Sequence, residues 1–519
     1  MPPYQASFAP ALPAPRAPFW RGWRAWPPAL VAACEASLAT RAALMVLVAL
    51  VLRGPVLGHA TIHVDEEFYL LVGDRMVQGA LPYVDIWDRK PVGLFLLFAG
   101  FRLLGGDGFA AYQLPAALCV VGTALAIYRA ARLIAPPAGA LVAAVAYQLY
   151  LSVFFCFGGQ SPVFYNLPVA GAGLLVMGLW HQAPTLPARR LLAGGAGAMA
   201  LVGLAIQIKY TVVFEGLGCG LALMALARHR GWSIPAVLGA AALWAGLALA
   251  PTLAAWGWYA AHGYGAQFAQ ANFLSIFARH TGADDAWWRL TKEGLVLAAL
   301  WWALWAALPG ALAQRAGRMA AGWAAASLGG FLLFGTWYDH YVAPLLVPLL
   351  VLAAPALAAP RRAAALLGLG ALAAGVVTTV DTVNHPAKAQ ALAAAARIHA
   401  AAGQGCIYIH EADPVLYYLA GNCLATRYPF PDHLNALGEA QALGVPVMDE
   451  VDRVIARRPA AIVISPKPLV DNPNLAVRAR FAALIGRDYQ QADTVHMGGT
   501  TYLVYRRKVA AAQPAPRRH

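Results

Sequence analysis

A bundle of membrane-crossing helices followed by a small α/β domain outside the membrane is the fold class that this sequence predicts. Three observations carry it. Of 519 residues, 60% are hydrophobic and only 12% are charged, where a soluble globular chain carries about 25% charged residues. The apolar residues form runs of membrane-crossing length, and pairs of Arg punctuate them. Beyond about Asn384 the runs give way to short strand-like and helix-like segments. The net charge of +14 is mostly Arg at the ends of apolar runs, where a positive-inside bias places it, so it does not argue for a nucleic-acid partner. The abundance of Ala, Gly and Arg points to a GC-rich bacterial genome.

In chain order, residues 1–37 are rich in Pro, Ala and Arg, with Trp20, Trp23 and Trp26. No small-residue cleavage site follows a short apolar core, so this segment reads as a disordered cytoplasmic tail and not as a signal peptide. The first span runs from about Ala39 to Leu57. Basic pairs then recur at Arg129 and Arg132, Arg189 and Arg190, Arg228 and Arg230, Arg315 and Arg318, and Arg361 and Arg362. Placing all of them in the cytoplasm folds the text between them into hairpins. Residues 138–181 turn at Gly158-Gly159-Gln160-Ser161-Pro162, and residues 191–227 turn near Lys209-Tyr210. Residues 235–308 carry a longer outer loop at about 260–290. Residues 319–358 turn at Thr336 to Tyr341, and a last helix at about 363–381 leads outside. Residues 92–104 and 109–132 read as two helices broken at Gly105-Gly106-Asp107-Gly108, although parity wants one net crossing. The membrane domain, 38–383, therefore holds about eleven to thirteen helices. The 58–91 loop, Lys209, the 260–290 loop and the 336–341 turn share its outer face.

Residues 384–508 read as an extracytoplasmic α/β domain. Strands are expected at Cys406–His410, Ala461–Ser465 and Thr501–Tyr505, and helices at Asp413–Ala420 and Met448–Arg457. Residues 509–519 form a second disordered tail. Cys34, Cys119, Cys156 and Cys219 fall in or near apolar helices and read as buried thiols. Cys406 and Cys423 share the outer domain, where an oxidising compartment allows them to pair; spacing alone leaves this open.

The loop from His63 to Gly93 concentrates charge beside a membrane core, where charge is costly and needs a reason. Phe68, Leu71, Val72 and Met76 share a face at helical spacing and Gly79 is a stop, so 65–78 reads as an amphipathic helix lying flat on the outer surface. Asp65 stands at its N-terminus, where a carboxylate is favoured, with Glu66 and Glu67 behind it. Alone, these acids would be first-turn capping residues. The second half, Asp85-Ile86-Trp87-Asp88-Arg89-Lys90-Pro91, changes that reading. A Lys before a helix-opening Pro can grip a phosphate while carboxylates do proton or metal work. Lys209, in an apolar run, is either functional or snorkels to the interface. His340 either touches phosphate or caps its helix. Trp287, Trp288, Trp301, Trp302 and Trp305 read as an interfacial belt. There is no Gly-rich nucleotide loop, zinc spacing or Gly-x-Ser-x-Gly elbow.

The order Asp65-Glu66 at the start of a juxtamembrane helix, then Asp85-x-x-Asp88-x-Lys90-Pro91, then a membrane helix, resembles the GT-C membrane glycosyltransferases. More narrowly it is similar to the protein O-mannosyltransferase and aminoarabinose-transferase group, glycosyltransferase family 39. Asp339-His340-Tyr341-Val342-Ala343-Pro344, and Asp413 to Tyr418 followed by Ala425 to Phe430, fit the same group, so the resemblance runs from about residue 40 to 435. It implies transfer of a sugar from a polyprenyl phosphate to a hydroxyl acceptor (lipid, glycan or protein) at the outer face of a bacterial plasma membrane. Asp65 then matches the catalytic aspartate, with Glu66 orienting the acceptor or assisting, and Lys90 matches the lipid-phosphate lysine. Arg89, Lys209 and His340 are further candidates for the phosphate, and Asp85 and Asp88 for supporting the acceptor or a metal. Val92 stands where many members have a second Pro. Arg89 stands where the aminoarabinose transferases carry an acid, which argues against aminoarabinose and against a metal site built at that position. Whether a divalent metal takes part is left open. The alternative from another class is a transporter or flippase of lipid-linked sugars. Transporters usually show internal repeats with matching broken helices, and none is visible here.

Overall fold

The structure, a computed structural model, describes residues 27–279, 284–385 and 387–508. The chain is a multi-span helical membrane protein with a small sheet domain at its C-terminal end. Among the described residues, eight helices are long and apolar enough to cross a membrane, or nine if the bent pair Ala286–Val296 and Ala298–Ala313 is one broken span. That is fewer than the count expected from sequence. The difference lies in helices that are apolar but short: Val92–Arg102, with 11 residues, and Pro137–Val153, with 17. At 1.5 Å per residue the first is about 16 Å long, half of a bilayer core of about 30 Å. Within the 92–132 segment, Phe109–Ala131 has the length and composition of a span and Val92–Arg102 does not. Helix Arg315–Phe334, which opens on two Arg and carries several Gly, also falls outside the eight.

Two further expectations change. Part of the N-terminal tail is helical, at Pro28–Ala36, while the Trp-bearing residues 1–26 and the tail beyond 508 lie outside the described residues. The helix expected to lie flat on a membrane surface is instead enclosed. It spans Val64–Val77, and Phe68 to Val72 are all at most 1% exposed. One side packs on helix Val92–Arg102, so closely that a Cβ at Gly73 would fall 2.7 Å from the Ala99 backbone. The other side lies under the C-terminal domain, with the Phe68 ring 5.2 Å from that of Phe430 and the Val415 amide donating to Glu67 at 3.2 Å. Its residues look amphipathic because one face meets a helix and the other meets a domain.

From Lys388 the chain forms helix Lys388–Ala402 and a four-stranded sheet. Its strands are β1 (Ile407–His410), β2 (Ala461–Ile464), β3 (Tyr489–Met497) and β4 (Thr500–Arg507), in the order β1-β2-β4-β3. β1 and β2 pair in parallel and every one of their residues is buried, as apolar runs covered on both faces should be. β3 and β4 form a hairpin around Gly498-Gly499, where Gly498 takes φ +59°. β3 is the strand not expected from sequence, because its exposed stretch Gln490-Gln491-Ala492 lacks an apolar alternation. Cys406 and Cys423 form a disulfide. The other four cysteines are free.

Candidate active site

His63 is extended and opens helix Val64–Val77, its Nδ1 accepting the Asp65 amide at 3.2 Å. Asp65 thus sits in the first turn, where amide dipoles favour a carboxylate. Its Oδ1 lies 3.4 Å from Lys90 Nζ, and its Oδ2 accepts from Gln160 Nε2 at 2.9 Å. The His63 and His340 rings stand edge to face with centroids 5.7 Å apart. Burial alone would raise the Asp65 pKa, but the charge of Lys90, together with His63, His340 and the Gln160 hydrogen bond, holds it well below the usual carboxylate range. Burial would likewise lower the Lys90 pKa, and Asp65 and Asp88 outweigh it, so the ammonium is held above its ordinary value. The pair is a settled ion pair.

Lys90 is placed by a tight loop. Tyr83 takes a left-handed conformation, φ +69°, with its amide on the Ile86 carbonyl at 2.7 Å. The Tyr83 hydroxyl donates to the Lys90 carbonyl at 2.8 Å. Asp88, 2% exposed, accepts the Arg89 and Lys90 amides on Oδ1, and its Oδ2 is 3.4 Å from Lys90 Nζ. Asp88 is therefore both a turn cap and the second counter-charge of Lys90. Pro91 then opens helix Val92–Arg102. Gly93 lets that helix start against the break after Ile206: a Cβ there would fall 2.5 Å from Gln207 Cβ, and the Leu94 amide donates to the Gln207 carbonyl at 3.0 Å. Lys209, two residues on, is thereby brought beside the loop, its Nζ 4.9 Å from the Tyr341 ring centroid.

The other expected residues sit differently. Glu66 points away from Asp65 into the 156–160 turn, where its Oε2 accepts the Gly159 amide at 2.6 Å. A Cβ at Gly158 would run into this carboxylate. Burial pushes the Glu66 pKa up to about 7. Arg53 grips the same turn, donating to the carbonyls of Cys156, Phe157 and Gly158. Glu66 and Arg53 thus hold the loop that delivers Gln160 to Asp65. Asp85 is exposed and its Oδ2 accepts the Leu81 amide at 2.8 Å, so it closes a turn and stands outside the cluster. Arg89 is forked onto Glu439 of the C-terminal domain, and Arg279 donates to the same carboxylate at 2.6 Å. Arg89 is thus engaged by the C-terminal domain. A divalent ion here would draw on His63, Asp65 and His340, whose ligand atoms lie within 4.8 Å of one another. Lys90 already supplies positive charge to that carboxylate.

The model of the dolichyl-phosphate-mannose-protein mannosyltransferase family matches residues 88–258, which include Asp88, Lys90 and Lys209 but not Asp65. A search of curated proteins finds no match. Among solved structures, ArnT from Cupriavidus metallidurans bound to undecaprenyl phosphate superposes with a TM-score of 0.63 at 16% identity, over 90% of this chain and 98% of that one. Its apo form gives 0.62 at 17% identity, with the same coverage. The archaeal oligosaccharyltransferase AglB from Archaeoglobus fulgidus, in complex with an inhibitory peptide and a dolichol phosphate, gives 0.50 at 12% identity over 82% of this chain and 69% of that one.

The chain has the GT-C glycosyltransferase fold.

Within that GT-C fold, four residues of the site were not anticipated from sequence. Gln160 had a signal, a lone amide between a Gly pair and Ser-Pro in a turn assigned to the same face as the 58–91 loop. His63 stands two positions before Asp65. Glu439 and Arg279 had none, since their partners are 350 and 160 positions away.

Proposed function

We propose that this protein is a glycosyltransferase that moves a sugar from a polyprenyl-phosphate donor to a hydroxyl acceptor at the outer face of a bacterial plasma membrane. The observation that carries the reading is the ion pair of Asp65 with Lys90, at the junction of a membrane helix and an overlying domain. In the free enzyme each neutralises the other. A donor phosphate arriving at Lys90 competes with Asp65 for the ammonium, and a carboxylate that loses its counter-charge becomes a stronger base. The acceptor hydroxyl attacks the anomeric carbon and its proton passes to Asp65. The new carbon–oxygen bond forms as the bond from the anomeric carbon to the phosphate oxygen breaks. The bond's electron pair leaves on the lipid phosphate, where Lys90 stabilises it. Lys209 and His340, against Tyr341, flank the path of the phosphate. Outer-face placement is supported by the Arg clusters at the opposite ends of the helices and by the Cys406–Cys423 disulfide, which suits an oxidising compartment. The C-terminal domain then lies outside the membrane, over the site.

The test is Asp65→Asn in purified protein given labelled donors. The variant keeps the geometry, inserts and folds, and loses transfer by about 10²-fold or more. Unchanged turnover in Asp65→Asn would remove Asp65 from the mechanism.

A further inference from the structure

Where helix Leu38–Arg53 meets helix Phe109–Ala131, the bundle carries a groove of about 350 Å³. Its floor includes Ala49, Val56 and Val121, each at most 8% exposed, and its rim is Leu50, Leu114 and Leu118, each at least 50% exposed. Both helices belong to candidate membrane spans, so the groove lies at hydrocarbon depth. Along the second helix it runs from Gln113 to Val121. That is about 12 Å of helix, close to one leaflet of a hydrocarbon core about 30 Å thick. The leaflet is the one on the side of Asp65, because the polar end of the groove leads to the site. There Gln113 accepts the Gly58 amide at 2.6 Å and donates to the His59 carbonyl at 3.1 Å. Arg53 donates to the carbonyls of Cys156, Phe157 and Gly158, and that turn delivers Gln160 to Asp65.

We propose that this groove holds one acyl chain of a bilayer glycerophospholipid, and that the chain shields the Arg53 contacts that fix the 156–160 turn. Inside a bilayer, apolar surface gains nothing by leaving water, and association rests on packing. Wall atoms that face a void forfeit their dispersion partners. A flexible chain from the surrounding leaflet supplies them along the whole groove. Arg53 is 8% exposed and donates to three carbonyls, and Gln113 is bonded through both its oxygen and its nitrogen. The polar groups at the head end are thus engaged with the protein itself. The groove therefore reads a chain and not a headgroup, which fits the bulk lipids better than a polyprenyl-phosphate donor. A second copy of this chain fits worse, because a two-fold contact sets the same face against itself and two facing hollows enlarge the void. With the groove filled, water is kept from the Arg53 guanidinium, and its hydrogen bonds are stronger in the dry setting. The inference is independent of which group the protein transfers.

The experiment is native mass spectrometry of the full chain in detergent, paired with amide hydrogen exchange over residues 155–161. The probes are dioleoyl phosphatidylglycerol, dioleoyl phosphatidylethanolamine and bare polyprenyl phosphate. The wild type should retain one phospholipid of either headgroup, and stripping it should speed exchange in the 156–160 turn. Ala117→Trp, which fills the groove from its own wall, should lower phospholipid occupancy by about tenfold or more. It should leave polyprenyl-phosphate binding unchanged and keep the turn protected without lipid. Ala117→Leu, a smaller fill, should lose part of the occupancy, and it decides the matter if the Trp variant does not elute as folded protein. Unchanged phospholipid retention in both variants, a preference for one headgroup, or exchange in the turn that ignores the lipid would overturn the proposal. So would loss of polyprenyl phosphate in place of phospholipid, which would give the groove to a donor tail. A wild-type dimer that Ala117→Trp dissociates would overturn it as well, by making the groove an interface between copies.

Discussion

Lys90 is held by two carboxylates at 3.4 Å and by its own backbone, through the Tyr83 hydroxyl and Asp88. A side chain fixed this firmly can stabilise a leaving phosphate without reorganising at the moment of reaction. Lys90→Met should therefore lower turnover by about 10²–10³-fold, measured as lipid phosphate released at saturating donor. Lys90→Arg should be partly active at best, because a planar fork does not fit a niche shaped for a point charge. Wild-type turnover in Lys90→Met would place the phosphate elsewhere. Asp65 and Lys90 were legible in the sequence because their chemistry is written locally: an acid at a helix start, and a Lys before a helix-opening Pro. Glu66 was legible as a buried acid but not in its role. Whether an acid faces a substrate or a loop depends on which side of the helix meets Gly159, and that is a long-range fact.

The helix Val64–Val77, the 81–91 loop and the segment carrying Glu439 act together as a clasp between bundle and C-terminal domain. Arg89 and Arg279, from two different loops, converge on the one Glu439 carboxylate, and the Trp87 amide donates to the Arg427 carbonyl at 2.7 Å. Burial would raise the Glu439 pKa, but the two guanidinium groups hold it at about 2, against an ordinary 4.5. A carboxyl depressed in this way contributes stability that is complete above its unfolded value and is lost as pH falls toward its folded one. Glu439→Gln should thus lower thermal stability at neutral pH by up to about 3 kcal/mol, and its deficit relative to wild type should shrink as pH drops from 4.5 toward 3. Melting curves of both proteins across that range check this, and a constant deficit would show that the clasp is not ionic. The clasp was not legible in the sequence. Its arginines were read as a phosphate contact and a loop residue because a partner hundreds of residues away leaves no local pattern. The strands β1 and β2, by contrast, were legible, being short apolar runs bounded by turn residues.

At the scale of the whole molecule, the apolar runs and Arg pairs were enough to give a helical bundle with its loops gathered at one end, because the hydrophobic effect and charge placement act on segments. They did not separate full spans from shorter apolar helices such as Val92–Arg102. What the assembled chain adds is enclosure: the bundle below and the sheet domain above shut Asp65 and Lys90 away, leaving their side chains only 13% and 15% exposed. Such a chamber suits group transfer from a lipid-linked donor, and a flippase would pass its substrate through unchanged. The measurement that separates these is made on purified protein in liposomes loaded with labelled polyprenyl-phosphate sugars and offered a range of hydroxyl acceptors. The account predicts that free polyprenyl phosphate accumulates in step with glycosylated acceptor, and that both signals vanish in Asp65→Asn. Intact donor crossing the bilayer, with no lipid phosphate released across the sugars and acceptors tried, would contradict it.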